Sequence, residues 1–181
     1  RYLATCGMNV AVLDLKGDAA GAGARAVTQS GGRAQAIEAD VLDRDSVEAA
    51  RKACCEALGQ VDVLINGAGG KHHDATTAPD KKFFDLPIAA FQKVLGLNLL
   101  GTVLPSMVFG RRMAERNEGL IVNVASMNAF KPLTRIPAYS AAKSAVKNFT
   151  EWLAVHMAQE YSPNIRVNAI APGFILTHQN R

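Results

Sequence analysis

Five short apolar runs, separated by helix-patterned stretches, constrain this chain more than any other feature. They are "NVAVLDL" (9–15), "RAQAIEADV" (33–41), "VDVLINGAGG" (61–70), "GLIVNVAS" (119–126) and "NIRVNAIAPG" (164–173). The first is apolar without alternation, the pattern of a strand buried on both faces, as parallel sheets require. "DAAGAGARAVTQS" (18–30) reads as an alanine-rich helix stopped by Gly31 and Gly32. "DSVEAARKACCEALG" (45–59) reads as a helix with Asp45 and Glu48 spaced as a capping box and Gly59 as its stop. A loop-like stretch with Pro79 and Pro87 leads to a mainly helical region over 88–116, broken near 96–101, and a long helix follows over 137–161. Strand–helix alternation predicts an α/β fold, a doubly wound parallel sheet with helices on both faces, in a single domain over 1–181.

Composition narrows the function. Hydrophobic residues make up 49% and charged residues 20%, as in a globular domain. The net charge of +4 is spread along the chain with no basic stripe and no aromatic interleaving, so no nucleic-acid partner is expected. The most apolar stretch (94–110) is interrupted by Asn98, Thr102 and Pro105 and does not read as a membrane span. Cys6, Cys54 and Cys55 are odd in number and lack zinc spacing, which argues for reduced, packing cysteines in a cytoplasmic protein. His72, His73 and Asp74 have no further partner at ligand spacing, so a solvated loop is expected there and no metal.

In a parallel α/β sheet, ligands sit beyond the carboxyl ends of the strands. That rule singles out Asp14, Asp40, residues 67–70, Ser126, Pro172 and Gly173. Within "AYSAAKSAV" (138–146), Tyr139 lies four residues before Lys143, which puts both on one helix face. A positive Lys143 lowers the pKa of the Tyr139 hydroxyl, which can then accept a proton from an alcohol or return one to an alkoxide. Ser126, 13 residues before Tyr139, ends the preceding strand and can hydrogen-bond a substrate oxygen as charge develops. Asn98 sits where the helical pattern breaks, and a broken helix frees backbone groups for water.

Taken together, "NGAG" (66–69), Asn98 in "LNLLGT", Ser126 in "NVASM", "YSAAK" (139–143) and "RVNAIAPGFILT" (166–177) resemble the short-chain dehydrogenase/reductase family in order and spacing. The resemblance covers essentially the whole chain. It implies a Rossmann-like fold and an NAD(P)-dependent enzyme acting on CH–OH donors. By the resemblance Tyr139 is the general acid/base, and Lys143 tunes it and binds the nicotinamide ribose. Ser126 orients the substrate oxygen, and Asn98 holds a water in the proton relay. It also implies that Asp40 and Val41 meet the adenine, that Asn66, Gly67, Ala68 and Gly69 line the cofactor cleft, and that Pro172, Gly173, Ile175 and Thr177 face the nicotinamide. Asp14 would take the adenosine ribose hydroxyls and repel a 2′-phosphate, favouring NAD, with Lys16 softening that repulsion so that NADP stays possible.

The resemblance further implies that the family's first strand, its glycine-rich turn and its C-terminal part lie outside these residues. "ASMNAFKPLTRIPAYSAAK" and "YSPNIRVNAIAPGFILTHQNR" resemble the sugar-acid branch of the family, which acts on substrates such as D-mannonate and D-fructuronate. A sugar acid needs donors for its carboxylate; Asn128, Arg135, His72 and Lys71 are the candidates. A polyol or gluconate-type dehydrogenase is the alternative. A non-catalytic nucleotide sensor is disfavoured by the complete acid/base set, and a nucleotide-sugar epimerase by the "NGAG" and "PGFILT" elements. The helices near 99–116 and 138–160 carry broad apolar faces, and the resemblance makes them the contacts of a homotetramer or homodimer.

Overall fold

The computed structural model describes residues 1–174; Ile175 and Thr177 lie outside the described residues. A short helix α1 (Tyr2–Thr5) precedes β1 (Val10–Asp14), α2 (Gly17–Thr28), β2 (Ala34–Glu38) and α3 (Arg44–Leu58). Then come β3 (Val63–Asn66), α4 (Ile88–Leu95), α5 (Gly101–Arg116), β4 (Gly119–Val124), α6 (Pro137–Glu160) and β5 (Ile165–Ile170). Three 3₁₀ turns lie at His73–Ala75, Phe83–Asp85 and Met127–Ala129.

Every strand pairing is parallel, as the alternation predicts, but the strands form two sheets rather than one. β1 pairs with β2, and β4 lies between β3 and β5. The open edges of β1 and β3 face each other across a cavity of about 490 Å³ lined by Val10, Ala11, Leu13, Val63, Leu64 and Ile65. The unpaired edge leaves β1 half-buried, where the sequence predicts burial on both faces.

Side-chain alternation sorts the helices. Ala11 and Leu13 of β1 pack with Val47 and Cys54 of α3 and Val108 and Phe109 of α5. Val12 points the other way, towards Gly23 of α2, where an added Cβ would come within 2.8 Å of Val12 Cγ1. On the second sheet Leu64, Ile121 and Val167 share one face and pack with Met113 of α5 and Leu153 and Met157 of α6. Its opposite face carries no helix among the described residues: Ile65 is 47% and Ile170 51% exposed. Among the described residues, helices cover both faces of β1–β2 and one face of β3–β4–β5.

The boundaries have local causes. Asp43, not Asp45, caps α3: its carboxylate accepts the Asp45 N–H at 3.0 Å, while Glu48 turns outward to pair with Arg51. A side-chain acceptor on the N–H two residues on satisfies an orphan donor of the first turn. The expected break near 96–101 is a π-helical turn over Gly96–Leu100, so α4 and α5 form one continuous helical run. That run, Ile88–Arg116, is long and apolar enough to cross a bilayer, but its apolar residues Val108, Phe109 and Met113 are buried in the core. Cys54 is buried beside them, and burial pushes its thiol up to about 11, which suits a packing role.

A chain of buried polar side chains runs across the helix-covered face of the second sheet. Asn66 Nδ2 donates to Ser106 Oγ of α5 and to Asn123 Oδ1, both at 2.9 Å, and Asn123 Nδ2 donates to Thr150 Oγ1 of α6 at 2.9 Å. All four residues are at least nine-tenths buried. Removing Asn123 leaves one N–H of Asn66 and the acceptor side of Thr150 Oγ1 unpaired, at about 1–3 kcal/mol for each orphaned group. Asn123→Ala is therefore expected to lower the unfolding free energy by about 2–4 kcal/mol, read from urea midpoints. A loss no larger than that of an exposed Asn148→Ala control would contradict the role given to this chain.

Candidate active site

The carboxyl ends of the strands gather most of the residues singled out above. β1 ends at Asp14, whose exposed carboxylate accepts the Lys16 N–H at 2.9 Å. Its register partner is Glu38, the last residue of β2, whose Oε2 accepts the Gly17 N–H at the start of α2 at 3.2 Å. The strand expected over 33–41 stops pairing at Glu38, and that end sets two carboxylates side by side. Asp40 turns back on its own loop, its Oδ1 accepting the Leu42 N–H at 2.9 Å. Val41 lies against Gly101 of α5, where a Cβ would come within 2.9 Å of Val41 Cγ2.

β3 runs into residues 67–70. The Asn66 side chain is committed to the buried chain, so only its backbone can line a cleft. Gly67 is exposed with open space around it, and Ala68 is half-buried. Gly69 adopts φ +152°, and a Cβ there would lie 2.5 Å from Asn98 Oδ1 and 3.4 Å from Lys143 Nζ. Glycine is required by both the backbone angle and the close approach.

Asn98 lies in the π-turn, a feature that recurs at functional sites. It is fully buried and holds Gly70 as a strand partner would: Oδ1 accepts the Gly70 N–H at 3.1 Å and Nδ2 donates to the Gly70 carbonyl at 2.8 Å. Nδ2 also reaches the Val94 carbonyl at 2.8 Å. The Asn98 carbonyl accepts from Thr102 Oγ1 at 2.9 Å. Gly70 is thus what joins this turn to the helix.

Lys143 is 4% exposed. Its Nζ donates to the Val124 carbonyl at the end of β4 at 2.6 Å and stands 5.6 Å from the centre of the Tyr139 ring. Burial pushes its ammonium down from 10.5 to about 8, so it remains charged at neutral pH. Tyr139 is half-buried and packs on the cluster of Ala75, Ala90, Val94 and Ala138. Ser126 follows β4; its Oγ accepts the Asn128 N–H at 3.2 Å and begins the Met127–Ala129 turn. The Pro172 carbonyl accepts the Met127 N–H at 3.1 Å, which pins residues 172–173 beside Ser126, and Gly173 lies near the Met127 sulfur.

The proposed substrate residues are not brought together. Asn128 is buried, and its Oδ1 accepts the Leu133 N–H at 3.1 Å, bracing a loop. His72 caps the His73–Ala75 turn, its Nδ1 accepting the Asp74 N–H at 3.2 Å. Arg135 lines a separate groove that contains none of Ser126, Tyr139 or Lys143. Lys71 is exposed one residue beyond Gly70. Among the described residues no three His, Cys, Asp or Glu side chains converge as a metal site.

A model of the short chain dehydrogenase family matches residues 1–181. An uncharacterized oxidoreductase, UxuB, from Bacillus subtilis is 45% identical over 99% of this chain. The 7alpha-hydroxysteroid dehydrogenase of Escherichia coli is 32% identical over 96%. The solved structure of a provisionally assigned D-mannonate oxidoreductase from Haemophilus influenza, with bound NAD, superposes with a TM-score of 0.90 at 43% identity over 98% of this chain. The chain spans 66% of the length of UxuB and of that Haemophilus structure, and 64% of the steroid enzyme. With its parallel strands, its glycine turn and its paired Tyr139 and Lys143, the chain belongs to the short-chain dehydrogenase family.

Proposed function

We propose that this protein is an NAD(P)-dependent oxidoreductase that interconverts a secondary alcohol and a ketone, with Tyr139 as general acid/base. The observation that carries the reading is the buried Lys143 ammonium, 5.6 Å from the Tyr139 ring and beside the glycine turn. A cation held beside one tyrosine favours the negative charge that develops on its oxygen while a proton is transferred. Ser126 Oγ, fixed by the Asn128 N–H, keeps its own hydrogen free to donate to a substrate oxygen. Asn98 holds the glycine turn against Lys143, and the family resemblance gives it a water that relays the proton.

The residues fit a dinucleotide. Asp14, Asp40 and Val41 would hold its adenosine end, and the backbone of 66–69 its middle. Tyr139, Lys143, Pro172 and Gly173 would hold the nicotinamide end. Bound there, the nicotinamide supplies or takes the hydride, which no amino-acid side chain can. The exposed Asp14 carboxylate and its neighbour Glu38 repel a 2′-phosphate, favouring NAD over NADP. A sugar acid such as D-mannonate or D-fructuronate is the proposed substrate, supported by the likeness to the Haemophilus protein and by Lys71 beyond the cleft turn. A gluconate-type or polyol dehydrogenase is the second reading; a provisionally assigned gluconate dehydrogenase from Agrobacterium tumefaciens superposes with a TM-score of 0.86 at 27% identity. A cytoplasmic location fits the free cysteines. Self-association through α5 and α6 is supported by exposed Leu100, Met107, Trp152 and Val155.

With NADH and D-fructuronate, absorbance at 340 nm is expected to fall for the wild-type full-length protein, and Tyr139→Phe to reduce kcat by about 10²–10⁴-fold. Turnover that survives in the phenylalanine variant would remove Tyr139 from the mechanism. Lys143 makes a second test because its pKa is lower in the folded state. Below pH 8 the amine is charged in both states and its burial penalty is fully present. Between pH 8 and 10.5 the unfolded chain holds more protons, so stability from this group rises with pH. Lys143→Met is expected to abolish turnover yet raise the unfolding free energy at pH 7 by about 1–2 kcal/mol. That advantage should shrink across pH 8–10.5, and a variant less stable at every pH would contradict the buried charge. Light scattering should give a dimer or tetramer, and a monomer would remove the proposed interface.

A further inference from the structure

A groove of about 510 Å³ runs beside the first turns of α6, and the proposed reaction does not use it. Phe83, Pro132 and Leu133 give it apolar walls, and Arg135, Ser140 and Thr77 give it polar ones. Ser140 is 7% exposed, and its Oγ is the one buried side-chain polar atom without a hydrogen-bond partner among the described residues. Buried hydroxyls are nearly always paired, so an orphan lining a groove points to a ligand.

Three further features give that ligand a sign. Arg135 is exposed and forms no ion pair among the described residues. Its backbone is held at φ +73° while its carbonyl accepts the Thr77 N–H at 2.8 Å, so the residue is clamped at the groove. The groove also takes in the start of α6, a helix of 24 residues with no side-chain cap. The N–H groups of Ala138 and Tyr139 precede the first i→i−4 bond, and this end of the helix carries partial positive charge.

We propose that this groove binds a small organic carboxylate. Arg135 pairs with the carboxylate, Ser140 Oγ–H donates to it, and the organic body lies against Phe83, Pro132 and Leu133. A guanidinium fork matches the two carboxylate oxygens, whereas a phosphate needs more donors and gains nothing from apolar walls. The site is distinct from the cleft of Ser126, Tyr139 and Lys143, and the inference does not depend on the dehydrogenase reading.

The test titrates 4-fluorobenzoate and the neutral 4-fluorobenzyl alcohol into the full-length protein, read by ¹⁹F NMR, with and without saturating NADH. The carboxylate should bind about tenfold more tightly than the alcohol, in line with a charge-assisted contact, and NADH should not displace it. Arg135→Asn removes the cation, and asparagine tolerates the left-handed backbone; it should abolish the preference for the carboxylate. Ser140→Ala should weaken the carboxylate alone, with the unfolding midpoints of both variants checked against wild type. The proposal is overturned by an absence of binding, by equal affinity for acid and alcohol, by unchanged affinity in folded Arg135→Asn, or by displacement with NADH. Inorganic phosphate, tested in parallel, would overturn the carboxylate assignment if it bound more tightly.

Discussion

A single amine placed out of water organises the site. Lys143 is charged at neutral pH although it is buried, and it donates a short hydrogen bond to the Val124 carbonyl. Such a charge is expensive to desolvate, and its position tolerates little error. Everything near it serves to hold that position. α6 carries the amine, the end of β4 receives it, and the glycine turn comes so close that a methyl group at Gly69 would touch both Nζ and Asn98.

The two supporting elements are themselves joined by polar contacts rather than by apolar packing alone. The face of the second sheet is apolar through Leu64, Ile121 and Val167, then becomes amide and hydroxyl one step nearer the carboxyl edge. Apolar packing is non-directional and tolerates sliding. The Ser106–Asn66–Asn123–Thr150 chain forms only in one register, so it fixes how far α5 and α6 sit along the strands. The same helices carry Asn98 and Lys143 to the edge.

The succession of strands along the chain, the parallel pairing and the shared face of Tyr139 and Lys143 were legible because periodicity and i,i+4 spacing are local properties. What escaped was decided by contacts between distant segments. Glu38 was passed over because nothing local says where β2 stops pairing. Asn98 was placed at a break because apolar periodicity cannot tell a broken helix from one carrying a π-turn. Asn128 and Arg135 lie near Ser126 and Tyr139 in sequence, but a loop with a left-handed residue turned one inward to brace the backbone and the other to a different groove. The division into two sheets depends on which edges find partners, and that is a property of the whole arrangement.

The π-turn over Gly96–Leu100 makes α4 and α5 one rod with a phase dislocation. In a regular helix each residue advances about 100° around the axis, so one surplus residue rotates everything beyond it by that amount. Loss of a single residue from this turn would let the rod heal into an ordinary α-helix, locally more comfortable than the present one. The half that rests on the sheet could then keep its grip only by turning the other half away. Length, at this one place, is under as strict a control as chemistry.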